Sequence, residues 1–285
     1  MEYNCISHRG LVRTHNEDSA FGLTQEFYGP EKLSCGLFIV CDGVGGEACG
    51  EMASRLAVKV TKQKVMESLF FLDTDYQKID FERILLSSIQ ESNKAVIEKM
   101  KESPKHEGMA TTIAAVLIVN NKAYIGQVGD SRTYIFGPEG ITFCSKDHSL
   151  VQEEVDKGIL TKEQARVSPQ KNIITRALGV DPNVEIDMYT RPLYAESTVL
   201  VCSDGLWDEL SDAEIEEIVL KYSYTKKICD TLLKAANERG GHDNISIIVI
   251  RNVELPSREQ LKKDRTIFAE HHVKENQEMT RRANP

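Results

Sequence analysis

Four aspartates in this 285-residue sequence stand where an apolar run gives out. Asp42 follows Phe38-Ile39-Val40-Cys41 and precedes Gly43; Asp204 follows Val199-Leu200-Val201-Cys202-Ser203 and precedes Gly205. Asp243 lies just ahead of Ile245-Ser246-Ile247-Ile248-Val249, and Asp130 sits in the turn Gly129-Asp130-Ser131. Burying even a neutral polar group without a partner costs about 2–7 kcal/mol, so a carboxylate at the end of a buried strand needs a counter-charge. No Lys or Arg stands directly beside any of the four. Oxygen donors without His or Cys suit hard cations such as Mg²⁺, Mn²⁺ or Ca²⁺. The plainer account is that Asp-Gly makes turns, and for any one position it suffices. It weakens when four recur, three of them with a neighbouring glycine.

Near the N-terminus, Arg13 precedes Glu17 and Asp18 by four and five residues. One reading is an exposed helical ion pair. The other is a guanidinium fork for a phosphate oxyanion, set beside carboxylates that order water around a metal.

The elements that must position these groups follow from patterning. Gly36–Cys41 reads as a buried strand, and residues 47–69 and 81–100 as helices with apolar residues at helical spacing. Residues 112–119, 123–128, 132–136 and 141–144 read as an antiparallel meander with short links. Ser149-x-x-Gln152 and Thr161-x-x-Gln164 fit capping boxes and predict two short helices. A buried strand at 198–202, a helix capped by Ser211, a helix over 226–237 and a strand over 245–250 complete the series. Helices and strands come in separate runs, which predicts an α+β fold. After Val253 the pattern fades. Residues 253–285 carry a net +1 against −10 for the rest, and read as a charged C-terminal tail.

Lys and Arg number 35 against 44 Asp and Glu, a formal charge of −9. That balance argues against nucleic acid or an anionic membrane as partner. The seven cysteines are dispersed and form no Cys-x-x-Cys pair, and Cys41 and Cys202 lie inside apolar runs. This predicts free thiols in a reducing compartment, hence a cytoplasmic protein. No apolar leader and no membrane-length apolar run is visible.

Taken in order, Arg13-x-x-x-Glu17-Asp18, Asp42-Gly43-x-Gly45-Gly46, Gly129-Asp130-Ser131-Arg132, Asp147-His148-Ser149, Ile174-Thr175-Arg176-Ala177-Leu178-Gly179, Ser203-Asp204-Gly205-Leu206-Trp207-Asp208 and Asp243-Asn244 form a recognisable set. The set resembles the PPM (PP2C-type) metal-dependent protein serine/threonine phosphatases in their compact bacterial form. Each motif alone is weak; seven in family order are specific. The resemblance implies an αββα sandwich over residues 1–252, with two central antiparallel sheets flanked by helices and a flap at about 145–175. It also implies two Mn²⁺ or Mg²⁺ ions between the sheets. By position, Asp42 would bridge both ions, the Gly43 carbonyl would ligate one, and Asp204 and Asp243 would complete the other. Glu17 and Asp18 would order metal-bound water, and Arg13 would hold the substrate phosphate. Asp130 with Asp204 would form a third metal site.

Two departures from the family pattern stand out. Val44 follows the first Asp-Gly where many eukaryotic members have histidine, which leaves the proton donor unassigned. Ser168-Pro169 stands where relatives often have His-Pro. The expected activity is hydrolysis of phosphoserine and phosphothreonine in proteins, by a monomer that opposes a bacterial-type Ser/Thr kinase. An idle relative that only binds phosphoproteins would have lost ligand positions, and all are present. A two-metal phosphodiesterase or nuclease would want a basic surface, and the acidic balance weighs against it.

Overall fold

The computed structural model describes residues 1–28, 32–45, 47–70 and 76–251. The tail expected over 253–285 lies outside the described residues. The chain runs β1 (Glu2–His8), β2 (Ser19–Tyr28), β3 (Lys32–Cys41), β4 (Gly43–Val44), α1 (Glu47–Phe70), α2 (Phe81–Lys101), β5 (Ala110–Thr111), β6 (Ile113–Val119), β7 (Lys122–Val128), β8 (Arg132–Gly137) and β9 (Gly140–Cys144). It continues with α3 (Leu150–Asp156), α4 (Lys162–Arg166), β10 (Asp187–Pro192), β11 (Thr198–Cys202), α5 (Asp204–Trp207), α6 (Asp212–Lys221), α7 (Thr225–Glu238) and β12 (Ile245–Arg251).

Two five-stranded antiparallel sheets form, in the orders β1-β12-β11-β8-β9 and β10-β7-β6-β3-β2, with β4 and β5 as a two-stranded ribbon. Period-two alternation sorts the side chains of each strand into two cores. On β3, Leu33, Cys35, Leu37, Ile39 and Cys41 pack with Ala53, Ala57 and Val65 of α1 and Leu85, Ile89 and Val96 of α2. Phe38 and Val40 of the same strand face the other way, into a core between the sheets with Ile135, Val199, Val201, Ile248 and Ile250. The partner sheet turns Tyr134, Phe136, Leu200, Cys202, Ile247 and Val249 outward against Ile215 and Val219 of α6 and Ile228, Leu232 and Ala236 of α7. The layers are helix, sheet, sheet, helix, as the resemblance implies. Because both faces of each sheet are covered, the central strands read as unbroken apolar runs.

Helix starts follow local chemistry. Thr161 and Ser211 make complete capping boxes with Gln164 and Glu214. Ser149 makes only half of one, its hydroxyl accepting from the Gln152 N–H.

The predicted meander is broken at Gly129-Asp130-Ser131. β7 pairs with β6 and β10, whereas β8 pairs with β9 and β11, so this turn carries the chain from one sheet to the other. A short polar link looks the same in sequence whether it closes a hairpin or crosses a sandwich. Strands β1, β2 and β10 are edge or near-edge strands with mixed composition, and they lie outside the elements predicted from apolar runs.

Phe38 has no exposed surface, and Tyr3 packs edge-on against it at 5.2 Å between ring centroids. Phe38→Ala is expected to cost about 3–5 kcal/mol, since the two sheets cannot close the void. Urea unfolding checks this: the midpoint should fall while the slope stays constant. A loss below about 1 kcal/mol would mean that the inter-sheet core repacks freely.

Candidate metal centre

The sandwich topology brings one end of several strands together. Asp42 ends β3, Asp204 follows β11, Asp243 precedes β12, Glu17 and Asp18 precede β2, and Asp130 joins β7 to β8. All six carboxylates therefore meet at one edge of the two sheets, from positions scattered over 227 residues of chain.

Backbone contacts fix each loop. The Asp42 N–H donates to Thr112 Oγ1 at 3.0 Å, while its carbonyl accepts from Thr111 Oγ1 at 2.7 Å and from the Thr112 N–H at 2.9 Å. Gly43 is dictated by crowding: a Cβ there would stand 2.2 Å from the Gly50 carbonyl oxygen and 2.8 Å from that of Glu17. Gly205 is held for the same reason, since its Cβ would lie 2.1 Å from the Asn244 carbonyl oxygen. Asn244, given no individual role by the sequence reading, ties the N-terminal segment down. Its Oδ1 accepts from the Glu17 N–H at 2.7 Å, and its Nδ2 donates to the carbonyls of Arg9 and His15 at 3.0 and 2.9 Å. The one available signal was its place directly after Asp243. Ser203 was likewise legible only as part of a motif. Its hydroxyl donates to Asp18 Oδ2 at 2.7 Å and accepts from the Ser246 N–H at 2.9 Å.

The electrostatics are those of crowded anions. Asp18 and Asp130 are buried, and Asp42 and Asp204 keep part of their surface open to the cleft. Burial pushes Asp42 well above the usual carboxylate range, and the charges of Asp204, Asp18 and Asp130 push it further. Asp204 is raised by burial and then by Asp130 and Asp243. Burial lifts Asp130 to about 7, with Asp147 adding to the rise and Arg132 opposing it. Asp18 rises to about 6 through burial, against the bonds from Ser203 and Ser246.

The sequence shows no cation beside these aspartates, but the fold supplies one to Asp243. Arg13 Nη2 reaches Asp243 Oδ2 at 2.7 Å across 230 residues, so neither the local helical pair nor a fork standing alone describes it. Arg13 is half-exposed, at the lip of the cleft. His148 is buried and structural: its Nδ1 accepts from the Gly129 N–H at 3.1 Å, and its Nε2 lies 3.3 Å from Asp187 Oδ2. His242 pairs with Glu209 at 2.7 Å. Val44 is exposed on β4, and Cys41 is fully buried with its thiol held protonated by burial and the nearby carboxylates.

Two observations fit a cation here. Asp18 Oδ1 and Asp204 Oδ1 are buried oxygens without a hydrogen-bond partner. The donor set is all oxygen, the choice of hard cations. Among the described residues no three His, Cys, Asp or Glu side chains form a ready cage for an ion. Hard cations that keep several of their own waters do not need one.

The sequence profile described as "Protein phosphatase 2C" matches residues 6–245. The chain belongs to the protein phosphatase 2C family. Its relatives include the serine/threonine phosphatase stp of Listeria innocua, 34% identical over 252 residues, 88% of this chain and 96% of that one. The crystal structure of the Mycobacterium tuberculosis serine/threonine phosphatase PstP/Ppp is similar at a TM-score of 0.74 and 33% identity, covering 87% of this phosphatase and 97% of that chain. The catalytic domain of PstP in complex with 2 manganese ions superposes at a TM-score of 0.71 with 32% identity, over 87% and 96% of the two chains. This phosphatase has no helix, among the described residues, long and apolar enough to cross a membrane.

The crowding has a pH signature in the metal-free protein. Folded Asp18 and Asp130 hold protons up to about pH 6 and 7. An unfolded aspartate releases its proton near ~3.9. The folded state binds more protons in between, so stability falls as pH rises from about 4 to 7. Thermal unfolding in EDTA should therefore give a lower Tm at pH 7.5 than at pH 5, and added Mn²⁺ should restore it at pH 7.5. An equal Tm at both pH values in EDTA would contradict the raised proton affinity of these buried aspartates.

Proposed function

We propose that this protein is a metal-dependent serine/threonine phosphatase that cleaves phosphomonoesters on proteins with Mn²⁺ or Mg²⁺. The observation that carries the reading is the convergence of Asp18, Asp42, Asp130, Asp204 and Asp243 on one edge of the sandwich, where burial and neighbouring charge raise the proton affinity of the first four. Family membership and the two manganese ions of the PstP catalytic domain support it.

Asp42, the Gly43 carbonyl, Asp204 and Asp243 would hold the two cations. Asp130, facing Asp204, is assigned to a third site. A bound pair of divalent cations supplies an activated water at neutral pH and charge neutralisation of the phosphoryl group. The chain does the rest. Glu17 and Asp18 present carboxylates to the cleft water from a segment that Asn244 and Ser54 hold by its backbone. Ser203 keeps one Asp18 oxygen occupied and leaves the other facing the centre without a protein partner. Arg13 has five N–H donors. That is more than one Asp243 oxygen takes up, so it can grip a phosphoryl oxygen while staying attached to the site. No covalent intermediate is called for, and buried Cys41 is core packing.

The finer reading is a cytoplasmic monomer whose catalytic domain spans residues 1–252 and whose phosphoprotein substrates include a bacterial-type Ser/Thr kinase. The free, mostly buried cysteines support a reducing compartment.

EDTA is expected to abolish hydrolysis of a phosphothreonine peptide, and Mn²⁺ or Mg²⁺ to restore it, with para-nitrophenyl phosphate behaving alike and its bis ester untouched. Activity that survives chelation would end the metal reading, and preference for the bis ester would favour a phosphodiesterase. Asp42→Asn should lose more than the about 10–100-fold typical of residues that only orient a ligand.

Arg13→Ala should raise KM for a phosphopeptide by about tenfold or more while kcat falls less. The warrant is a lost charge-assisted bond of about 1.5–3 kcal/mol that acts on bound substrate and transition state alike. Steady-state kinetics in saturating Mn²⁺ decide it, and an unchanged KM would leave Arg13 as a tether for Asp243 alone.

A further inference from the structure

Leu11 and Val12 leave 64% and 62% of their surface exposed. Among the described residues they are the only neighbours in sequence within the set of exposed large apolar side chains. Single exposed apolar residues are ordinary on a protein surface, whereas an adjacent pair beside a binding group asks for a reason. Neither residue is part of the three apolar cores, so packing does not supply one.

The loop that carries them owes its shape to its backbone. Gly10 has φ +75°, and a Cβ there would stand 2.1 Å from the Asp243 carbonyl oxygen. The N–H groups of Leu11 and Val12 both donate to the Gly241 carbonyl, at 2.8 and 3.3 Å. Asn244 Nδ2 holds the carbonyls of Arg9 and His15 on either side. A Cβ on Gly241 would meet Leu11 Cγ at 3.2 Å, so the stem of Leu11 rests on that glycine while its tip faces water. The result is a fastened shelf at the lip of the cleft, with two apolar side chains directly before Arg13, which is itself tethered to Asp243.

We propose that Leu11 and Val12 form a subsite for an apolar side chain one or two residues from the phosphorylated serine or threonine of a protein substrate. This deepens the phosphatase reading given above and rests on it, with Arg13 gripping the phosphoryl group. Neighbouring Cα atoms stand about 3.8 Å apart in any chain, so a substrate held at Arg13 by its phosphate brings an adjoining side chain over Val12 and Leu11. Contact there removes apolar surface from water on both partners, and the fastened backbone means that little order has to be created on binding.

The test compares two phosphothreonine peptides in saturating Mn²⁺, identical except that Leu or Ser stands on both sides of the phosphothreonine. Wild type should favour the leucine peptide by about tenfold in kcat/KM, the scale of partly burying one aliphatic side chain. In the double variant Leu11→Ser, Val12→Ser that preference should fall to about twofold or less, through KM more than kcat. Para-nitrophenyl phosphate has no flanking residue and serves as the reference by which each peptide value is divided. Leu220→Ser removes an exposed leucine from α6 and should keep the wild-type preference. A wild type without preference, or a double variant that keeps it, overturns the proposal. An equal loss on both peptides does so too, since it would leave the shelf as a support for Arg13 alone. A wild type that hydrolyses none of these substrates with Mn²⁺ removes the phosphatase reading and this inference with it. Mn²⁺-dependent hydrolysis of both peptides at equal kcat/KM removes this inference alone.

Discussion

Everything at the functional edge of this protein follows from burying several carboxylates where the fold forces them together. Asp42, Asp130 and Asp204 each sit where a strand leaves a core with both faces covered, so burial acts on all three; Asp204 and Asp130 add to the cost at Asp42, and Asp130 to that at Asp204. Without a cation, protonation is the relief, and burial raises the proton affinity of all three. A divalent cation relieves it better, because it neutralises two charges at once and asks only for oxygen donors. The cost of burying these carboxylates and their affinity for a cation are two sides of one electrostatic effect.

Apart from Arg13 on Asp243 and Ser203 on Asp18, the scaffold directs its hydrogen bonds here to the backbone around the carboxylates. Thr111 and Thr112 clamp the main chain of Asp42, Asn244 clamps that of Glu17, and Ser54 takes the Glu17 carbonyl. Side-chain oxygens are left over as a result, at Asp18 and Asp204. A backbone held this way fixes where the carboxylates stand while leaving Asp18 Oδ1 and Asp204 Oδ1 without a protein partner. Glycine at 43 and 205 serves the same end, letting loops approach to distances that no side chain tolerates.

The legible part of this molecule was the part with local causes. Apolar runs ending in aspartate marked β3, β11 and β12 together with their carboxylates, and capping residues marked α4 and α6. What escaped has non-local causes. Nothing near Gly129-Asp130-Ser131 tells a hairpin from a crossing between sheets; only the pairing of β8 with β11, about 65 residues later, settles it. The partner of Arg13 was equally invisible, because Asp243 arrives from 230 residues away. Asn244 was legible as the neighbour of Asp243, but its bonds to Arg9, His15 and Glu17 exist only once those loops are brought side by side. Composition and periodicity report what a residue is buried against in general, and not which residue it meets.

That non-locality bears on how the centre assembles. β1 is held in its sheet by β12 alone, and the segment from Arg9 to Glu17 hangs on Gly241, Asp243 and Asn244. Asp18 depends on Ser203, which in turn bonds Ser246. Glu17 and Asp18 are therefore held in place only where β12 and the loop before it are docked. Contacts of such sequence separation form late because loop closure must be paid before they return anything. A partly folded chain then presents its acidic residues singly and exposed, where they bind hard cations weakly. The charge density that makes a strong site exists only in the finished sandwich, so cation binding acts on the folded state alone and stabilises it by mass action.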